Sequence, residues 1–267
     1  MQAGCATGTG TLASRRHVTK SEFKMNKGII ALCFLTCTMA YGQVLQSGLI
    51  LPNNYEDEGI CCIYAPSNGF TIYDQPNGEI TGKLTRNAAQ NTDNQSYYRI
   101  YFVDDRNKTE TQIELENFWQ IGYEIWALTY NERQNGFVKL KIENQNLWLK
   151  ESEVKNMKFE LVEWQTFLSD NAGKVLGFYA NEPGLNLREQ PNTSSRIIKT
   201  LRGDLHEISP TNEHIGLWTK VKVIIMKEHP CETELTEEEN IEEILEGWIK
   251  ILDDDGLPNV WNYSRGC

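Results

Sequence analysis

Short runs in which apolar and polar residues alternate dominate the chain. Val138-Lys139-Leu140-Lys141-Ile142 and Thr219-Lys220-Val221-Lys222-Val223 keep a strict period of two, the signature of a half-buried β-strand. Phe70/Ile72 and Leu185/Leu187 alternate in the same way, and each pair runs into a Gln-Pro-Asn turn at Gln75–Asn77 and Gln190–Asn192. Proline presets φ there and asparagine tolerates left-handed backbone, so strands are predicted on both sides of each turn. Helical spacing is predicted in two places. Phe159–Leu168 has mixed apolar spacing and is expected to dock one half of the chain on the other, with Ser169–Gly173 as a break. Thr236-Glu237-Glu238-Glu239 is a capping-box pattern ahead of Ile241, Ile244 and Leu245, so the acidic stretch Glu232–Glu246 is expected to hold a short amphipathic helix.

The alternating runs form a repeat. Gly69–Leu84 (GFTIYDQPNGEITGKL) matches Gly184–Leu201 (GLNLREQPNTSSRIIKTL), and Tyr130–Ile142 (YNERQNGFVKLKI) matches Thr211–Val223 (TNEHIGLWTKVKV). Each copy then closes on a Trp-apolar-Lys step, Trp148-Leu149-Lys150 and Trp248-Ile249-Lys250. Three blocks in the same order, twice, point to a duplicated unit of about five short strands, and a small barrel is the arrangement that best manages the edges of such a unit.

The second copy resembles the bacterial SH3 domain family. The resemblance is carried by Leu185-Asn186-Leu187-Arg188, Pro191, Ser194-Ser195, Ile197–Leu201, Gly203-Asp204, Gly216-Leu217-Trp218, Lys220-Val221 and Gly247-Trp248-Ile249. The first copy carries a weaker version, with Thr71-Ile72-Tyr73 at the Asn-Leu-Arg step. The resemblance implies a mainly β chain of two small SH3-like β-barrels in tandem with short helical insertions and a linker. The expected division is 43–154 for the first barrel, 155–176 for a linker with a short helix, and 177–267 for the second barrel. Both copies depart from the family core by an insertion: Thr85–Gln120, with a strand-like Tyr97–Val103, and the acidic Lys227–Glu246. Family members are thought to bind peptide or peptidoglycan in a shallow aromatic groove. That implies Trp218, Trp248, Trp261, Tyr179 and Tyr263 as binding candidates. Trp218 and Trp248 also fit barrel core, whereas Trp261-Asn262-Tyr263 lies outside the strand pattern and is the better candidate for exposed recognition. The polyproline groove of eukaryotic SH3 domains is not implied, because its Ala-Leu-Tyr-Asp-Tyr step is missing.

The N-terminus reads as a targeting signal. Residues 1–24 show no hydrophobic period and look like translated upstream sequence. Residues 25–42 then follow the order of a signal peptide: Met25-Asn26-Lys27, the apolar Gly28–Met39, and the small-x-small step Ala40-Tyr41-Gly42. The apolar run is too short to span a bilayer of about 30 Å, and neither Cys33 nor Cys37 follows a small residue as a lipidated cysteine would, so release rather than stable membrane insertion is expected. The chain is expected to be exported, to a periplasm or the exterior. Its net charge of −11 moves to near −15 without residues 1–42, leaving 21 basic and 36 acidic side chains. Such a polyanion repels phosphate backbones, so no nucleic-acid partner is expected. Four cysteines then remain (Cys61, Cys62, Cys231, Cys267), which allow three connectivities; Cys231 with Cys267 is the disulfide candidate, tying the acidic insertion to the C-terminus.

No catalytic set assembles from the sequence. A cysteine nucleophile needs an orienting histidine, and Cys61 and Cys62 have none nearby among His206, His214 and His229. The cell-wall peptidases that carry bacterial SH3 modules bring a separate catalytic domain, for which this chain has no room. His229-Pro230-Cys231 lacks a second pair at zinc spacing, and Asp253-Asp254-Asp255-Gly256 lacks the alternating ligands of a calcium loop and reads as a hairpin tip. No metal, cofactor or catalytic residue is therefore expected. The expected function is non-catalytic binding of envelope polymer (peptidoglycan) or of a peptide or protein ligand. The alternatives are an inhibitor or interaction protein that uses the acidic insertion to mask a basic partner and, less favoured, a cell-wall enzyme.

Overall fold

The computed structural model describes residues 46–55, 62–66, 68–86, 99–175 and 177–263, so the expected signal peptide at 25–42 lies outside the described residues. The chain is mainly β, and the described residues, all within 46–263, belong to one compact unit. Its first sheet contains β1 (Gly48–Pro52), β2 (Cys62–Ile63), β3 (Phe70–Tyr73), β4 (Ile80–Thr85), β5 (Ile100–Asp104), β6 (Thr109–Ile113), β7 (Phe118–Gly122), β8 (Ile125–Gln134), β9 (Phe137–Leu140), β10 (Trp148–Lys150) and β11 (Phe159–Glu163). The second contains β12 (Phe178–Arg188), β13 (Ile197–Ile215), β14 (Trp218–Met226), β15 (Ile241–Lys250) and β16 (Val260–Trp261). Three short helices accompany them: α1 (Glu151–Asn156), α2 (Trp164–Asp170) and α3 (Glu237–Asn240).

The repeat is visible residue by residue in the hydrogen-bond ladders. Phe70 faces Leu84 and Thr71 faces Lys83 in β3–β4; Leu185 faces Leu201 and Asn186 faces Thr200 in β12–β13. Both ladders shift register at the same step, between Ile72 and Tyr73 and between Leu187 and Arg188. The next hairpins pair Gln134 with Phe137 and Ile215 with Trp218 around two-residue turns. Trp148 lies opposite Lys139 on one side and Tyr73 on the other; Trp248 lies opposite Lys220 and Arg188. Gly69 and Gly184, which open the two copies, both have positive φ (73° and 114°). A Cβ at either would come within 2.7 Å of Leu84 O or 2.5 Å of Leu201 O, so the tight approach of the backbones requires glycine twice.

The copies differ in how the ladders close. In the second sheet β13 pairs with β14, β14 with β15, β15 with β12 and β12 again with β13, so the pairings return to their start. In the first sheet the corresponding strands β3, β4, β8, β9 and β10 lie along an open path, with β5 and β6 extending it beyond β4 and β7 added against β8. The insertion expected at Thr85–Gln120 thus supplies β5, near the strand read at Tyr97–Val103, and also β6, most of whose residues are exposed.

One apolar cluster runs through both sheets, from Leu49, Phe70 and Leu140 to Leu187, Val221 and Ile249. The segment read as a linker is part of this packing. Its β11 pairs with β1, and Trp164, Phe167 and Leu168 of α2 are buried, Trp164 edge-on to Trp119 at 4.8 Å. From the same helix Gln165 Nε2 donates to Gly216 O (2.7 Å) and Ser169 Oγ to Thr211 O (2.8 Å), so α2 docks on the second sheet as its apolar spacing predicts.

The acidic insertion corrects one expectation. The capping box forms, with Thr236 Oγ1 accepting from the Glu239 amide and Glu239 accepting from the Thr236 amide, but the helix is a single turn. From Ile241 the chain is strand β15, where Glu243, Ile244 and Leu245 face Ile225, Ile224 and Val223. The apolar strand β14 needs a ladder partner along its whole length, and four residues of isolated helix are marginal.

Candidate functional site

The expected aromatic residues divide between two places. Trp218 and Trp248 are half-buried on the outer face of the second sheet, because the alternation turns Thr219, Val221, Val223 and Ile249 into the core. They are therefore not barrel core. Lys250 lies opposite Trp218 and Lys220 opposite Trp248, while Ile215, the other neighbour of Trp218, is 58% exposed. Lys220 is in turn paired with Glu213 at 3.0 Å.

Tyr179, Trp261 and Tyr263 come together elsewhere. Trp261 belongs to strand β16, opposite Tyr179, so this segment is not outside the strand pattern as expected. The Tyr179–Trp261 and Tyr179–Tyr263 rings are 5.0 and 5.6 Å apart, and Trp261 and Tyr263 meet edge-on at 4.8 Å. Tyr179 is fully buried; Trp261 and Tyr263 are half-buried, which corrects the expectation of a freely exposed Trp-Asn-Tyr step. Burial, with Glu207, Tyr263 and Asp204 nearby, pushes the Tyr179 phenol up to about 12.

Two polar side chains adjoin this cluster, Asp204 and His229. Tyr263 Oη donates to Asp204 Oδ2 (2.8 Å), which together with burial holds the phenol above its ordinary value. His229 Nε2 lies 3.3 Å from the same carboxylate oxygen and 3.4 Å from Tyr263 Oη. Its Nδ1 accepts the Cys231 amide at 3.1 Å, so in a neutral ring the proton sits on Nε2, facing Asp204. Both ring nitrogens thereby hold the loop that follows β14. Buried Asn240 holds its other end: its Oδ1 accepts the Glu228 amide (3.0 Å) and its Nδ2 donates to Glu228 O (2.9 Å).

Beneath that loop lies a cavity of about 470 Å³, within the size range of small-ligand pockets. Ile224, Met226, Leu235, Ile241 and Tyr179 give it apolar walls, and Glu207, Glu237 and His229 supply polar groups. Loss of hydration, with Glu237 adding repulsion, raises the Glu207 carboxyl above its ordinary range. Sequence reasoning singled out the aromatics, Asp204 within the family pattern and Glu237 within the acidic segment, but missed Glu207, which lies in strand β13 with no motif of its own. Cys231 also lines the cavity, while its expected partner Cys267 lies outside the described residues. The Asp253–Gly256 turn is the hairpin tip expected: Asp253 Oδ1 accepts the Asp255 and Leu257 amides, and Gly256 has φ 78°. No cluster of three or more metal-ligating side chains occurs among the described residues, and no helix among them is long and apolar enough to cross a membrane. No protein-family model, curated protein or solved structure matches the chain.

Proposed function

We propose that this chain is an exported, non-catalytic binding protein built from two SH3-type copies, with its ligand site in the second. The observation that carries the reading is the doubled register, in which the same hairpins, register shift and Trp-apolar-Lys closure recur in the order of the bacterial SH3 pattern. The second copy also holds the aromatic cluster and the adjoining cavity. The ligand is envelope polymer, with peptidoglycan as the leading case. The leader at 25–42 supports export, and a Cys231–Cys267 disulfide would be at home in that compartment.

The test is co-sedimentation of Gln43–Cys267 with purified peptidoglycan sacculi, alongside two double variants checked for folding by thermal melting. Wild type is expected to pellet, Trp261→Ala/Tyr263→Ala to remain in the supernatant, and Trp218→Ala/Trp248→Ala to pellet normally. Loss only in the Trp218/Trp248 variant would move the site to the outer sheet face. No pelleting of the wild type would overturn the polymer reading in favour of a protein partner, sought by crosslinking against the exposed acidic segment around Glu232–Glu246.

A further inference from the structure

The cavity beside Tyr179 has an unbalanced chemistry. Its walls are apolar, yet two carboxylates, Glu207 and Glu237, border it. Neither makes a hydrogen bond or ion pair among the described residues, unlike Glu151, Glu189, Glu213 and Glu239, each of which is paired or capping. Glu207 lies against the backbone of Gly177, where a Cβ would come within 2.3 Å of its Cγ, so this side chain is held in place rather than free to swing into water. Among the described residues the cavity lining contains no lysine or arginine; the cation acting on Glu207 is Lys222, at an exposed position of β14. Glu207 is half-buried and Glu237 stands exposed at the edge of the cavity; the two repel each other, and a positive charge brought in from outside satisfies both.

We propose that this cavity binds a primary alkylammonium group on an apolar stem, of the kind carried by a lysine-like side chain. A hard metal ion suits the lining poorly, because such ions take six or more oxygen ligands and the walls are hydrocarbon. An alkylammonium matches both parts. Its stem packs against Ile224, Met226 and Leu235, and its charge sits between Glu207 and Glu237, in a space that Tyr179 and Tyr263 also line. The inference deepens the binding reading and rests on it for its biological meaning, but its test is separate. Amine-bearing peptide stems of an envelope polymer, or a lysine-rich protein segment, would both present this group.

The probe is pentylammonium, titrated into ¹⁵N-labelled Gln43–Cys267 at neutral pH, with 1-pentanol and pentanoate as neutral and anionic controls of similar length. The amide shifts of Tyr179, Glu207, Leu235 and Ile241 are expected to move together. Pentylammonium should bind at least tenfold more tightly than pentanol, and pentanoate not at all. Glu207→Gln/Glu237→Gln should lower pentylammonium affinity at least tenfold and leave pentanol binding unchanged, which also shows that the cavity is intact. Equal affinity for pentanol and pentylammonium, shifts mapping elsewhere, or an unaffected double variant would each overturn the proposal. If sacculi pellet but the amine does not bind, the ammonium site falls and the polymer reading stands. If the amine binds but sacculi do not pellet, the ammonium site stands and the polymer reading falls.

Discussion

The two copies hold the same strands in the same register, yet in one the pairings close and in the other they do not. The second copy passes from Phe178 to Arg188 and from Ile197 to Ile215 as two long, bent strands, each pairing on both sides of its bend. The first breaks both at the corresponding places. β1 and β3 are separate strands with β2 between them, and β4 is parted from β8 by β5, β6 and β7. The shared structure therefore resides in the hairpins and their turns, and closure is a property of uninterrupted corners. Adding chain at a corner costs little in loop entropy, which grows only logarithmically with length, so the ladders survive an insertion that the ring does not.

Removing the same tryptophan from each copy should give the largest contrast between them. Trp148 and Trp248 hold equivalent registers, but Trp148 is only 5% exposed and Trp248 is half-buried. The difference follows from what comes next. After Lys150 the chain enters α1, whose Glu153 accepts a hydrogen bond from Tyr73 Oη at 2.6 Å, and Tyr73 packs edge-on against Phe137. After Lys250 the chain turns away at Asp253–Gly256, and Arg188 stands in the place of Tyr73. Trp148→Ala is expected to cost about 3–5 kcal/mol and Trp248→Ala roughly half as much, measured by urea denaturation. Equal costs would mean that the two outer faces are packed alike.

Glycines give the next contrast. Gly69→Ala and Gly184→Ala place a methyl group against a carbonyl oxygen in a left-handed conformation, and each should cost about 1–3 kcal/mol. Gly136 and Gly216, at the hairpin turns, also have positive φ but nothing within 4 Å of a Cβ, so alanine there meets only backbone strain, about 1 kcal/mol. Denaturant midpoints should therefore rank by position in the repeat rather than by copy. A large difference between Gly69→Ala and Gly184→Ala would show that the open copy tolerates a displacement the closed one does not.

These contrasts also separate what the residues announce from what only packing decides. The repeat, its turns and its alternating strands were legible because glycine, proline and asparagine mark the corners and the core faces keep a period of two. Strand β6 was not, since Thr109–Glu110–Thr111–Gln112 is polar and exposed and is a strand only because β5 offers a ladder. Ile241, Ile244 and Leu245 have helical spacing, and pairing with β14 overrides it. At the candidate site the aromatics stood out in the sequence by type. Which of them meet, and which acids stand beside them, depends on a ladder between Tyr179 and Trp261 that joins opposite ends of the second copy.

The smallest effects separate the copies by the sign of their pH dependence, because each holds a half-buried carboxylate that is treated in the opposite way. In the first copy Glu151 accepts two hydrogen bonds from Arg133, both 2.7 Å, and that fork holds its carboxyl below the ordinary value of 4.5. Its contribution is present above pH 4.5 and fades as pH falls through the lowered value, so Glu151→Gln should cost about 1 kcal/mol at pH 7 and progressively less in acid. In the second copy Glu207 has no such partner among the described residues, and its raised value works in reverse. The native state is favoured below pH 4.5, where the group is protonated folded and unfolded alike, and loses that advantage as pH rises through the folded value. Glu207→Gln should therefore melt above wild type at pH 7, and the gap should close below pH 4.5. A melting temperature that falls at pH 7 would mean that Glu207 already has a stabilising partner in the folded chain. An apolar cavity with an unpaired acid gains stability from losing the charge; a cavity whose acid is already satisfied does not.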